Sequence, residues 1–346
     1  MAHITGNIHI GRRCAPLKLS LVVPCYNEAD NVRPLFDKVN DVLFGKIDSY
    51  EFVFVNDGSK DETFENLKAI CKNEAIPVKV INFSRNFGKE SAIFAGLTHA
   101  DGEYISLIDA DLQQNPEYVL KMVEFLESNS EYDCVAAFQD KRHENKLNVF
   151  CKNCFYKLIN RISETEFVNG ASDFRTFRRS MRDAILSMSE YHRFSKGIFS
   201  WVGFNTYYMP YDVEERHAGS SKWSFWKLCK YAIEGIVAFT TMPLRVSSFV
   251  GSLASFAALI YMIVVIVQKL AFGIAIPGYA TIVVLTLFLG GLQLLSLGII
   301  GEYLSKIYIQ SKGRPIFIAK DILDNQSPGT RRSEKGDASE NEYKAT

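Results

Sequence analysis

In the stretch Tyr104-Ile105-Ser106-Leu107-Ile108-Asp109-Ala110-Asp111, an apolar run ends abruptly in an Asp-x-Asp pair. Its first five residues have the length and bulk of a buried strand, and the two acids mark where that strand leaves the core. Runs of the same kind lie at Leu19–Val23, Glu51–Val55, Val78–Ile81 and Cys134–Ala137. Between them, Asn31–Leu43, Asp61–Cys71, Lys89–His99 and Glu117–Leu126 carry amphipathic helical patterns. Strands alternating with helices of this length predict an α/β domain whose parallel sheet is covered by helices on both faces.

Such a sheet binds ligands beyond the carboxyl ends of its strands, where loops and helix N-termini converge. Pro24-Cys25-Tyr26-Asn27-Glu28 follows the first strand and Asn56-Asp57-Gly58-Ser59 the second. Ser84-Arg85-Asn86-Phe87-Gly88-Lys89 follows the third, and Asp109-Ala110-Asp111 the fourth. Four polar clusters on one rim point to a site more strongly than any one alone.

The chain has 346 residues, 47% of them apolar, enough for one large domain and a further element. Its 39 basic and 39 acidic residues balance, so no global field draws it to nucleic acid. The seven cysteines, Cys14, Cys25, Cys71, Cys134, Cys151, Cys154 and Cys229, are scattered, which suits a reduced, cytosol-facing domain. Cys151 and Cys154 have no second Cys or His pair to complete a zinc site, and Leu147–Ile162 reads as helix. Met1 to Pro16 contains no apolar core of a secretory signal.

Lys141–Pro243 is less regular, rich in Arg, Lys and aromatics, and is expected to form the second substrate's half of the cleft. Val246–Val267 and Tyr279–Leu304 are each long and apolar enough to cross a bilayer of roughly 30 Å hydrocarbon thickness. Arg245 precedes the first, while Lys306, Lys312 and Arg314 follow the second, so the positive-inside rule puts both outer ends in the cytoplasm. Gly290-Gly291 would permit close helix packing and a homo-oligomer through these spans. Phe225–Phe239, with Lys227 and Lys230 among large apolar residues, fits an interfacial helix and a core helix equally well. After Asp324 the composition is that of a disordered tail.

The Asp109 and Asp111 carboxylates are hard oxygen donors suited to Mg²⁺ or Mn²⁺, and an ion held there would neutralise a diphosphate leaving group. Asp57 reads either as an acceptor for a nucleobase N–H or as the cap of the helix opening near Asp61. Glu28 reads either as a ribose ligand or as the start of its own helix.

These residues together resemble glycosyltransferase family 2. The likeness rests on Val22-Val23-Pro24-Cys25-Tyr26-Asn27-Glu28, Asn56–Asp61, Asn86–Glu90 and Asp109-Ala110-Asp111-Leu112-Gln113. It extends through Asp173-Phe174-Arg175, Arg216–Trp223, Phe288–Gln293 and Gly301-Glu302-Tyr303. The combination is similar to the polyprenyl-phosphate glycosyltransferases, above all the bactoprenol glucosyltransferases of O-antigen glucosylation clusters, and is related to dolichol-phosphate mannose synthases.

The resemblance implies a GT-A fold, a nucleotide-sugar donor, a polyprenyl phosphate acceptor, a divalent metal and inversion at the anomeric carbon. By position, Pro24, Tyr26, Glu28 and Asp57 would hold base and ribose, with Lys89 nearby. Asp109, Ala110 and Asp111 would bind nucleotide and metal, and Gln113 would face the sugar. Arg142 and Arg175 would hold the acceptor phosphate, Arg216 and Lys222 would close over the donor diphosphate, and Asp173 would orient Arg175 or assist proton removal, with orientation favoured. An acceptor phosphate is already ionised, so positioning outweighs general-base strength.

The Gln-x-x-Arg-Trp sequence of processive synthases is absent, because Trp201, Trp223 and Trp226 follow Ser200, Lys222 and Phe225. That favours transfer of a single sugar, with UDP-glucose as donor and a flippase and a later transferase downstream. Competing readings keep the chemistry with GDP-mannose, UDP-galactose, UDP-N-acetylglucosamine or an aminoarabinose nucleotide, or make the chain a non-catalytic scaffold. The expected organisation is an extension to residue 18, a GT-A domain over 19–223, an amphipathic segment over 224–243, a hairpin over 244–305 and a cytoplasmic C-terminal segment.

Overall fold

The computed structural model describes residues 17–138, 160, 168, 170–211, 240–272 and 278–326. The alternation appears as β1 (Leu19–Cys25), α1 (Val32–Leu43), β2 (Tyr50–Asn56), α2 (Thr63–Asn73), β3 (Val78–Phe83), α3 (Lys89–His99), β4 (Tyr104–Leu107), α4 (Glu117–Ser128) and β5 (Cys134–Phe138). There follow β6 (Ala171–Arg178), α5 (Arg179–Ser187), α6 (Ser195–Trp201), β7 (Thr206–Pro210), the long helices α7 (Met242–Phe272) and α8 (Tyr279–Ser311), and β8 (Ala319–Asp324). The extension over 1–16, the Cys151/Cys154 helix, the amphipathic segment Phe225–Phe239 and the tail over 327–346 lie outside the described residues.

One sheet runs in the order β7-β5-β6-β4-β1-β2-β3-β8. β1 pairs in parallel with β2 and β4, β2 with β3, and β5 with β7. The sheet is mostly parallel, as the alternation predicts, but β6 lies antiparallel between β4 and β5, and β8 lies antiparallel on β3. Neither strand was foreseen. β6 interleaves Asp173, Arg175 and Arg178 with Phe174 and Phe177, so its sequence reads as a polar motif. β8 carries Lys320, Asp321 and Asp324, as edge strands do to discourage further pairing.

Successive β1 side chains serve opposite faces of the sheet, as the two-residue strand period requires. Leu21 and Val23 join Leu35, Phe36, Phe52, Phe54, Leu67 and Met122 on one side. Val22 joins Val53, Ile81, Ile93, Leu97, Phe177 and Phe199 on the other. Phe52 packs on Phe36 and Phe54 at ring-centre distances of 4.7 and 5.5 Å. Each such ring contributes roughly 1.5–3 kcal/mol by leaving water. α3 lies close on β1 because a Cβ on Gly96 would fall on the Val22 side chain.

The strand order reverses between β1 and β4, which opens a crevice at their carboxyl ends. α7 and α8 form an antiparallel pair apolar on all sides, with Ser247 Oγ donating to Ser296 Oγ at 2.8 Å and Tyr303 Oη to the Thr240 carbonyl at 2.7 Å. Met242–Gln268 and Val284–Ser311 are long and apolar enough to span a membrane, and no part of either is buried in the protein. A sheath of lipid would cover that surface.

From α8 the chain returns to the sheet. Phe317 stacks on Phe83 at 5.1 Å, and Asn82 Nδ2 donates to Asp321 at 2.9 Å. The Asn325 side chain accepts from the Val78 amide and donates to the Glu74 and Ile76 carbonyls. Residues up to Asp324 thus complete the sheet, a role the sequence reading did not give them.

Candidate active site

The rim is built by loops that hold one another. Asn27 adopts a left-handed conformation (φ 55°), which asparagine tolerates better than most residues. Its amide donates to Ser59 Oγ at 2.9 Å and its Oδ1 accepts from the Lys60 amide at 3.0 Å, joining the first loop to the second. The Glu28 amide donates to Thr63 Oγ1, and the Ala29 amide to Asp61. Asp61 itself, just before α2, accepts from the Thr63 amide and hydroxyl, a contact Asp57 does not make.

Asp57 is 3% exposed and turns to the third loop, accepting from the Phe87 amide at 2.6 Å and the Gly88 amide at 3.0 Å. Burial pushes its carboxyl up, and the two amides only partly offset that. Gly58 has φ 62°, and a Cβ there would fall on the backbone of Arg85 and Asn86. This close approach brings the second and third loops together.

Below them, Asp109 is locked by Gln114, whose Oε1 accepts from the Asp109 amide at 2.9 Å and whose Nε2 donates to Oδ2 at 3.2 Å. Lys89, the first residue of α3, pairs with Asp109 at 2.7 Å and with Asp173 of β6 at 3.2 Å. Asp111 accepts from the Gln113 amide at 3.3 Å. Between them, Leu112 is held at φ 62°, a costly conformation for a branched side chain, and is kept there by burial in the core.

Arg175 is 5% exposed, donates to the Ser172 carbonyl at 2.8 Å and lies 3.9 Å above the Phe199 ring of α6. Ser195, at the start of the same helix, donates its amide and hydroxyl to Glu90, next to Lys89. Burial alone would raise the Asp173 carboxyl, but Lys89, Lys196 and Arg175 outweigh it and bring it down to about 2. Burial likewise opposes the Lys89 charge, yet Asp109 and Asp173 raise its pKa above the ordinary lysine value. The Lys89 ammonium thus lies between the Asp109 and Asp173 side chains.

A family model described as glycosyl transferase family 2 matches residues 20–186. An uncharacterized glycosyltransferase of Synechocystis is 40% identical over 88% of this chain and 96% of its own length. The chain belongs to glycosyltransferase family 2. A putative glycosyltransferase of Bacillus subtilis is 42% identical over 88% of this chain and 91% of its own. A bactoprenol glucosyl transferase of Shigella phage SfV is 39% identical over 88% of this chain and 99% of its own. These alignments exceed the length of the family model, whose match ends before α6 and the apolar helices.

In this family 2 glycosyltransferase, the expected residues Tyr26, Glu28, Asp57, Asp109, Ala110, Asp111 and Gln113 lie on the loops beyond β1, β2 and β4, while Pro24 is near the end of β1 and Lys89 opens α3. Tyr26 is 42% exposed, and Glu28 accepts from Asn31 Nδ2 at 2.6 Å, beside the start of α1. Asp173 and Arg175 reach the same rim from β6, beside β4. Arg142, Arg216 and Lys222 lie outside the described residues. Gln114, Ser195 and Phe199 escaped the sequence reading, and Glu90 entered it only as the last residue of the Asn86–Glu90 motif. Gln114 stood beside the polar residue already chosen, and Ser195 and Phe199 sit in a helix too short to show a period.

Among the described residues, no three His, Cys, Asp or Glu side chains group to hold an ion. Asp109 and Asp111 still suit a hard divalent cation, since such ions bind through one or two carboxylates and complete their shell with substrate phosphates and water.

Proposed function

We propose that this glycosyltransferase moves one glucose from UDP-glucose to a polyprenyl phosphate, with inversion, at the cytoplasmic face of a membrane. The supporting observation is the match to a bactoprenol glucosyl transferase over 99% of that protein's length, including the two apolar helices. On this reading the domain runs to near residue 223 and is completed after the hairpin by β8, and the hairpin holds the rim at the headgroup layer.

Pro24, Tyr26, Glu28 and Asp57 bind the nucleoside, and Asp109 and Asp111 would hold Mg²⁺ or Mn²⁺, which when bound would supply charge neutralisation for the departing UDP. An oxygen of the lipid phosphate attacks the anomeric carbon as the bond to the UDP oxygen breaks, and the bonding pair leaves with UDP. No proton need be removed from an ionised phosphate, so Arg175 and Arg142 act by placing it in line, with Arg216 and Lys222 closing over the donor. Asp173, strongly acidic, is a poor base and a good partner for Lys89 and Arg175. Gln113 faces the sugar. The lipid-linked glucose then serves a flippase and a later transferase.

A competition panel tests the donor. UDP-glucose should support lipid labelling that EDTA abolishes and that unlabelled GDP-mannose, UDP-galactose and UDP-N-acetylglucosamine suppress poorly. Equal or stronger suppression by another nucleotide sugar would reassign the donor.

A further inference from the structure

Near its C-terminal end, α8 meets the catalytic domain through Gln310. Gln310 Oε1 accepts from the Tyr191 amide at 2.8 Å, and its Nε2 donates to the Ser189 carbonyl at 3.0 Å. A carboxamide is a side chain that can accept and donate at once, and here it does both to the backbone of one loop.

That loop, residues 188–194, is gripped from the other side as well. Arg193 donates to the Met188 carbonyl at 2.7 Å and lies 4.4 Å above the Phe94 ring. Phe94 in turn meets Phe317, just after α8, at 6.4 Å. The loop runs directly into α6, whose Ser195 holds Glu90, whose Lys196 helps keep Asp173 ionised and whose Phe199 seats Arg175. The donor-side loops are held by bonds of their own, from Asn27 to Ser59, from Glu28 to Thr63 and from Phe87 to Asp57.

We infer that Gln310 is a positioning residue: it ties the membrane helix to the 188–194 loop and so sets α6, Arg175 and Asp173 for the lipid phosphate. The inference rests on the function proposed above. It predicts that loosening the clasp harms use of the lipid and spares the donor. A change of net fold would harm both.

The test uses full-length protein in detergent micelles. Gln310→Leu removes both bonds, and Gln310→Glu keeps the acceptor for Tyr191 but sets a carboxylate against the Ser189 carbonyl. Ser311→Ala, which loses only a bond within α8, is the control. Both Gln310 variants should raise the KM for undecaprenyl phosphate about tenfold, leave the Kd for UDP-glucose within about twofold, and lose amide-exchange protection over 188–199 only. Wild-type protection, or lost protection with wild-type kinetics, would overturn the inference. If the wild type itself transferred nothing to any lipid phosphate, the proposed function would fall, while the exchange data would still decide whether the clasp exists.

Discussion

Asp173 sits where a general base would be sought, yet its surroundings make it a weak one. Its carboxyl lies near 2, below the ordinary value of about 3.9, so it contributes stability above about pH 4 that is lost as pH falls towards 2. Replacing it by Asn should therefore cost stability at pH 7 and progressively less as the pH drops through that window, as denaturant titrations would record. The acid limb of transfer should instead follow the second ionisation of the lipid phosphate, near pH 6, and stay there in Asp173→Asn. Movement of that limb with the substitution would make Asp173 the base.

Gln114→Leu removes both contacts that fix Asp109. We expect a loss of about 1–3 kcal/mol in stability and a fall in kcat of about tenfold to a hundredfold, measured side by side. Asp109, Asp111 and Lys89 were legible in the sequence because charged residues at strand ends stand out. Gln114 was not, because a lock is recognised by its geometry and any neighbouring amide looks the same in sequence.

The loops depend on close approaches that few residues permit. Gly58→Ala places a Cβ on the backbone of Arg85 and Asn86 and strains φ at 62°. The left-handed conformation alone costs about 1–3 kcal/mol, so the variant should be destabilised by at least that much and bind UDP-glucose more weakly, seen by calorimetry. Binding and stability equal to wild type would show that the two loops do not need this contact. β1 to β5 and α1 to α4 were readable because local periodicity and burial agree there. β6 and β8 were not, since their partners, β4 and β3, are distant in sequence and their own charges hide the strand pattern.

At the scale of the molecule, α7 and α8 expose apolar side chains along their whole length, among them Phe249, Leu253, Phe256, Leu287 and Leu294. Such a surface is stable in lipid and prone to aggregation in water. The protein should stay with membranes through high salt and alkali and leave only with detergent. Release by alkali would return the hairpin to the interior of a soluble assembly. The two long apolar helices were legible from length and composition alone, whereas the return of the chain to the sheet through Phe317 and β8 was not, because it depends on where α8 ends in space.

The most direct measurement is transfer of labelled glucose from UDP-glucose to undecaprenyl phosphate by detergent-purified protein, beside an Asp111→Ala variant of confirmed fold. Metal-dependent labelling of the lipid by the wild type, reduced at least a hundredfold in the variant, is the predicted result. A wild type that binds UDP-glucose but labels no lipid phosphate, or a variant as active as the wild type, would contradict it.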